Sequence, residues 1–172
     1  NDYPFTDIDG SSLVLELGID ITDRKQAEDA LRVSQERFRQ VAEHAQEWIW
    51  EIDADGLYTY ASPVVEKILG YSPEETVGKK HFYDLFHPEQ RQEMKNAAFD
   101  VFARKESVRE LLNLNVHKNG QAIWLSTSGV PILDGDGNLV GYRGADTDIT
   151  KRKQVEEALR ESEALLQAAM DQ

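Results

Sequence analysis

Alternation and helical spacing divide the chain into elements. "WIWEID" and "LYTYAS" alternate apolar and polar positions around "ADG", which predicts a hairpin of residues 48–53 and 57–62. Pro63 opens a short helix, "PVVEKIL", which Gly70 stops. "SPEETV" follows with Ser72 as N-cap, Pro73 in the first turn and Glu75 three residues after the cap, a capping-box arrangement ended by Gly78. His87-Pro88 is expected to begin a longer helix through about Arg104, with Met94, Ala97, Ala98, Val101 and Phe102 on its apolar face. "VRELLNLNVH", "QAIWLSTSGVPIL" and "LVGYRGADTDI" read as three strands joined by the turns "KNG" and "DGDGN". Two strands, short helices and three more strands make an α+β order with an antiparallel sheet.

A repeat frames this unit. "DITDRKQAEDALRVSQE" from Asp20 returns as "DITKRKQVEEALRESEA" from Asp148, an offset of 148 − 20 = 128, with D, I, T, R, K, Q, E, A, L, R and S unchanged. Such a period has the size of a domain rather than of a solenoid repeat. "YPFTDIDGSSLVLELGIDIT" resembles "VPILDGDGNLVGYRGADTDIT", so residues 1–21 read as the last hairpin of a preceding unit. Residues 22–45 are then a connector helix, 46–150 the complete domain, and 151–172 a connector towards a further unit. Beginning at Asn1 without a Met, the chain reads as a piece of a longer array.

Both connectors carry a second regularity. Ala27, Leu31, Ser34, Phe38, Val41 and Ala45 are spaced by alternate steps of four and three, and Val155, Leu159, Ser162, Leu166 and Ala169 repeat the pattern. That spacing gives a heptad seam suited to a helix of a second copy, or an amphipathic face lying on its own domain. Lys151, Arg152 and Lys153 sit at the positive end of their helix dipole, an arrangement that calls for acidic partners.

Composition narrows the function classes. Nineteen Lys and Arg against 32 Asp and Glu leave a formal charge of −13. That charge argues against nucleic acid or anionic membrane surfaces as partners. There is no cysteine, which removes disulfides, thiolate metal sites and cysteine nucleophiles. No apolar run is long enough to span a bilayer, and no signal peptide opens the chain, so a cytoplasmic location is expected for this part of a parent that could be anchored elsewhere. Asp53, Asp55, Asp134 and Asp136 all fall in turns, where Asp supplies turn geometry. No acid/base pair, activated nucleophile or phosphate-cradling loop is legible, so a binding and signalling module is expected rather than an enzyme.

Residues 36–150 resemble a PAS sensory domain, with "DADGLYTYASPVVEKILGYSPEETVGK" the most characteristic stretch. "GNLVGYRGADTDITKRKQVEEALRESE" is similar to the C-terminal PAC motif that joins such domains to the next module. The resemblance implies a five-stranded antiparallel sheet with short helices on one face, a ligand pocket between them, and helices leading in and out. Typical hosts are bacterial sensor histidine kinases of two-component systems and cyclic-dinucleotide enzymes, whose catalytic parts lie in other domains.

The resemblance also directs attention to candidate ligand residues. In the light-oxygen-voltage branch a flavin is held by the last three strands, and Asn115 in "LNVHKNG" stands at a flavin-binding asparagine. Asn113 shares its face by the two-residue strand period, leaving Leu112, Leu114 and Val116 on the other. Leu125 and Asp146 stand where that branch has polar amides, and His81 where it has the photochemical cysteine. Covalent flavin photochemistry is therefore excluded, and noncovalent flavin is disfavoured. Asn113, Asn115, Thr127 and Asp146 turned inward, with Leu125 and His81 nearby, would wall a pocket for a small polar ligand of unknown identity. Turned outward they would merely be solvated, with Leu112, Leu114 and Val116 as core.

His44, His81, His87 and His117 are scattered without metal-ligand spacing, so no metal site is expected. His87 reads as a helix-start residue, and the absence of a histidine from the long helix disfavours haem. Trp48 and Trp50 share one strand face, so at most one of them is expected to meet a pocket. The functional expectation is a ligand-binding sensory module of a homodimer, with the seam at Leu31, Phe38, Val41, Leu159 and Leu166 and with Asp148, Ile149 and Thr150 relaying the pocket's state. Its rival is a ligand-free dimerising spacer.

Overall fold

The computed structural model describes residues 3–6, 12–15 and 20–170. The chain divides into two compact units, Asn1–Phe38 and Arg39–Gln172. In the first, β1 (Tyr3–Thr6) pairs antiparallel with β2 (Ser12–Leu15). The turn expected between them lies outside the described residues. Helix α1 (Thr22–His44) follows and runs through the boundary.

The second unit holds β3 (Trp48–Asp53), β4 (Tyr58–Ala61), α2 (Val64–Leu69), α3 (Pro73–Thr76), a 3-10 turn at Phe82–Asp84, α4 (Arg91–Arg104), β5 (Val108–Val116), β6 (Ala122–Leu133), β7 (Leu139–Asp148) and α5 (Thr150–Met170). Its five strands form one antiparallel sheet in the order β4-β3-β7-β6-β5. The expected α+β architecture, a five-stranded sheet with short helices and terminal helices, is what the chain adopts.

Local chemistry explains most of the short elements. Gly70 ends α2 at φ 77°, a left-handed value that glycine adopts at little cost. Ser72 and Glu75 make the reciprocal capping box at the start of α3. Helix α4 corrects the sequence reading: it begins at Arg91, with Gln90 as its cap, and not at His87-Pro88. The reason is long-range, since the His87 N–H donates to Leu114 O at 2.8 Å and holds that segment against β5. The apolar face is also shifted: Ala97 is exposed, and Phe99, absent from the expected set, packs against Phe82 and Phe102.

The core lies on the inner face of the sheet, where Trp48, Trp50, Ile52, Tyr58, Leu125 and Tyr142 meet Val64, Val65, Ile68 and Leu69 of α2, Leu85 and Phe102. Tyr142 stacks on Phe102 at 4.2 Å and donates its hydroxyl to Glu106 O at 2.9 Å, tying β7 to the end of α4.

Strand β5 contains a bulge that positions a cavity wall. Between the pairs Val108↔Gly129 and Leu111↔Thr127, β5 advances three residues while β6 advances two. Glu110 takes φ 47°, and its N–H is satisfied by Ser128 Oγ at 2.9 Å. An odd step of three would put Val108 and Leu111 on opposite faces of a regular strand; the extra residue brings both to the inner face.

Candidate functional site

Beneath the inner face is a cavity of about 70 Å3. Its apolar wall includes Trp50, Ile52, Phe82, Phe86, Phe102 and Tyr142, and its polar wall consists of Asn113, Asn115, Thr127 and Asp146. The space suffices for a few waters or a small organic molecule, well below the roughly 300 Å3 at which drug-sized pockets begin.

The four polar residues come from three adjacent strands. Asn113 and Asn115, two apart on β5, are each 3% exposed, whereas Leu112, just before Asn113, faces out. Thr127 on β6 stands opposite both Leu111 on β5 and Asp146 on β7, which places the set on one face. Asn113 Nδ2 donates to Leu111 O at 3.0 Å and to Thr127 Oγ1 at 2.8 Å, and Asn115 Nδ2 donates to Asn113 Oδ1 at 2.5 Å. Trp50 Nε1 donates to Asp146 Oδ1 at 3.0 Å.

Two glycines make that last contact possible. Gly144 lies opposite both Trp50 and Gly129, and a Cβ at Gly144 would run into Ser128 O and the Trp50 ring. With no side chains there, the indole rests on the sheet and its N–H reaches Asp146. Trp48, two residues earlier, packs instead against Tyr58 with ring centroids 5.4 Å apart, so one tryptophan of the pair meets the cavity.

Burial dominates the electrostatics. It pushes the Asp146 carboxyl up to about 7, against the opposing pull of hydrogen bonds from Thr127 and Trp50. The buried Tyr58 phenol is pushed well above its usual value by the same desolvation, with Asp146 and then Asp84 adding to it. Among the described residues no Lys, Arg or His lines the cavity.

Two candidate residues lie apart from the cavity wall. Leu125 is cross-strand from Asn113 but packs into the core. His81 stacks on Tyr83 at 4.9 Å, and its N–H is taken by Asp84 Oδ2 at 2.8 Å, because the residue caps the 3-10 turn. Phe82 and Phe86, edge-to-face at 5.7 Å, line the cavity instead; their four-residue spacing in "HFYDLF" was a signal the sequence reading did not use. Among the described residues no group of three His, Cys, Asp or Glu is placed to hold a metal ion.

The strand-to-helix junction is built from Asp148, Ile149 and Thr150. Asp148 Oδ1 accepts the Thr150 N–H at 2.8 Å, Ile149 N–H donates to Trp124 O at 2.9 Å, and Thr150 Oγ1 accepts the Trp124 N–H at 3.0 Å. The first repeat reproduces its local part: Asp20 Oδ1 accepts the Thr22 N–H at 2.9 Å, and hydrogen bonding from the Thr22 side chain first and its backbone second holds the Asp20 carboxyl below its usual range. Of the three cations at the head of α5, Arg152 pairs with Glu156 at 3.3 Å and Lys153 lies over the Trp124 ring at 5.3 Å. Leu31, Phe38 and Val41 on α1, and Val155, Leu159 and Leu166 on α5, are all exposed. No helix among the described residues is long and apolar enough to cross a membrane.

Comparison with known proteins agrees with this geometry. The family described as PAS fold matches residues 58–145. An uncharacterised protein, y4lL, of Sinorhizobium fredii is 31% identical over 138 residues, which cover 80% of this chain and 16% of that protein. The bacterioopsin transcriptional activator of Halobacterium salinarum is 27% identical over 112 residues, 65% of this chain and 16% of its own length. The chain thus spans about a sixth of the length of these curated relatives. Among solved structures, a sensory box histidine kinase/response regulator from Burkholderia thailandensis superposes with a TM-score of 0.61 at 24% identity, over 77% of this chain and 98% of that one. With its sheet order, its inner-face cavity and the family match in agreement, the chain belongs to the PAS-fold family.

Proposed function

We propose that the chain is a non-catalytic sensory and relay module of a longer bacterial signalling protein, in which the cavity holds a small ligand and α5 passes its state onward. The observation that carries this reading is the polar wall. Four side chains able to hydrogen-bond sit inside an aromatic core, where apolar residues of similar volume would avoid the cost of desolvation. A site for a small polar molecule accounts for them.

The relay follows from connectivity. Asn113 is paired across the sheet with Leu125, and the adjacent Trp124 exchanges hydrogen bonds with Ile149 and Thr150 at the head of α5. Ligand that favours one arrangement of this sheet edge would bias the junction by its difference in affinity for the two states. The exposed stripe of Val155, Leu159 and Leu166 would then meet the same stripe of a second copy, and the parent, a sensor histidine kinase or cyclic-dinucleotide enzyme in the cytoplasm, would read the packing.

Native mass spectrometry of the purified chain, with denaturing release of anything retained, tests this directly. The expected result is a dimer carrying a small molecule that Asn115→Leu loses. An empty dimer would favour a dimerising spacer, the reading supported by the exposed stripe alone. An empty monomer would count against both.

A further inference from the structure

The direction of hydrogen bonding along the polar wall is set by a main-chain group. Leu111 O can only accept, so Asn113 must turn Nδ2 towards it and towards Thr127 Oγ1. That turns Asn113 Oδ1 towards Asn115, which must answer with its own Nδ2. Asn115 Oδ1 is thereby fixed at the open end of the relay, and among the described residues no protein donor satisfies it. Of the donors nearby, the Trp50 N–H is engaged by Asp146 Oδ1 and the Tyr142 hydroxyl by Glu106 O, whereas the buried Trp48 N–H, outside the cavity lining, has no partner among the described residues, and the Tyr58 phenol lines the cavity beside Asp146.

Charge points the same way. Among the described residues the cavity wall holds one carboxylate, Asp146, and no Lys, Arg or His. The groups packed around Asp146 include Trp48 and Trp50 on β3, Thr127 on β6 and the Tyr58 phenol, and among the described residues no cation neutralises it. Trp50, Phe82 and Phe86 line the same cavity, and an aromatic ring face attracts a flat cation rather than an anion. A carboxylate ligand would meet Asp146 and the Asn115 carbonyl oxygen with no cation among the described lining residues to offset either, and with the Tyr58 phenol as a neutral donor.

Resting on the reading of this cavity as a ligand site, we infer that its occupant is a small planar nitrogen donor of the amidinium type, and that carboxylates are excluded. In-plane N–H groups of such a molecule satisfy Asn115 Oδ1 and Asp146 together, while its faces lie against the rings. Burial keeps Asp146 partly protonated near neutral pH, and the cation takes the place of that proton.

Acetamidinium, acetamide and acetate share one shape and differ in charge and donors. Titrating each into the full chain at pH 7.5, with backbone amide shifts read by NMR and xenon as an apolar probe of the cavity, separates the possibilities. Acetamidinium is expected to shift the amides of Asn113, Asn115 and Asp146 with an affinity about tenfold or more above that of acetate. Asp146→Asn is expected to bring the two within about threefold while leaving the xenon response in place. If that variant does not fold, the wild type supplies the same reading: acetamidinium affinity should rise from pH 6 to 8 while acetamide stays level, and a constant ratio contradicts the inference. Acetate binding as tightly as acetamidinium, or xenon binding with no response to any planar probe, overturns the ligand class and leaves an accessible cavity. A chain whose cavity amides respond to neither xenon nor the three probes overturns the ligand-site reading itself, and this inference with it.

Discussion

Asp146 shows how one residue trades stability for chemistry. Its unfolded value is 3.8, and burial raises the folded one to about 7. Below pH 3.8 both states hold the proton, and no charge is buried. Between 3.8 and about 7 the folded chain keeps a proton that the unfolded chain has released, so stability falls as pH rises, and the loss is complete above about 7. The gap corresponds to at most about 4 kcal/mol. Asp146→Asn keeps an oxygen for the Trp50 N–H and removes the charge, so it is expected to raise the urea midpoint at pH 8 and to leave it unchanged near pH 3.5. A gain of equal size at both pH values would show that charge burial is not the cause. The glycines under Trp50 give a second test. Gly144→Ala drives a Cβ into Ser128 O, a backbone atom that cannot rotate away, and is expected to cost about 1–3 kcal/mol. Gly129→Ala meets the far edge of the Trp50 ring at 3.0 Å and should cost less in the same denaturation series. That Asn113 and Asn115 share a face was legible from the two-residue strand period, whereas the choice between pocket and solvent stayed open in the sequence. The glycine seat was not, because it depends on which residues of β3, β6 and β7 lie opposite one another.

At the scale of elements, hairpins and caps were legible because they are local. Ser72 and Glu75 lie within one turn, and "ADG" fixes its own hairpin. What escaped was set by distant partners: the late start of α4, held off by the His87 bond to Leu114 O, and the β5 bulge, satisfied by Ser128. The junction at Asp148-Ile149-Thr150 combines both kinds. Its Asp-to-Thr bond is local and recurs at Asp20, while the Thr150 hydroxyl accepts from Trp124, 26 residues away. Thr150→Val keeps the shape and removes that acceptor, so a loss of about 1–2 kcal/mol is expected, with faster amide exchange at Trp124. Unchanged exchange there would mean that the bond does not hold the strand to the helix.

Across the whole Arg39–Gln172 unit, the cavity and the head of α5 are joined through β6, where Leu125 is the cross-strand partner of Asn113 and Trp124 grips the junction. The central claim is that the filling of one is felt at the other. Ala98, on α4, lines the cavity, and Ala98→Leu extends a branched side chain into it as a fixed occupant. Hydrogen exchange of the Ile149 and Thr150 amides in this variant, compared with the wild type, measures the coupling directly. The account predicts a change of about fivefold or more at these amides, the low end of ordinary allosteric coupling. Altered exchange at Asn113 and Asn115 with Ile149 and Thr150 left as they were would contradict it, and would make the cavity and the helix independent features of the same fold.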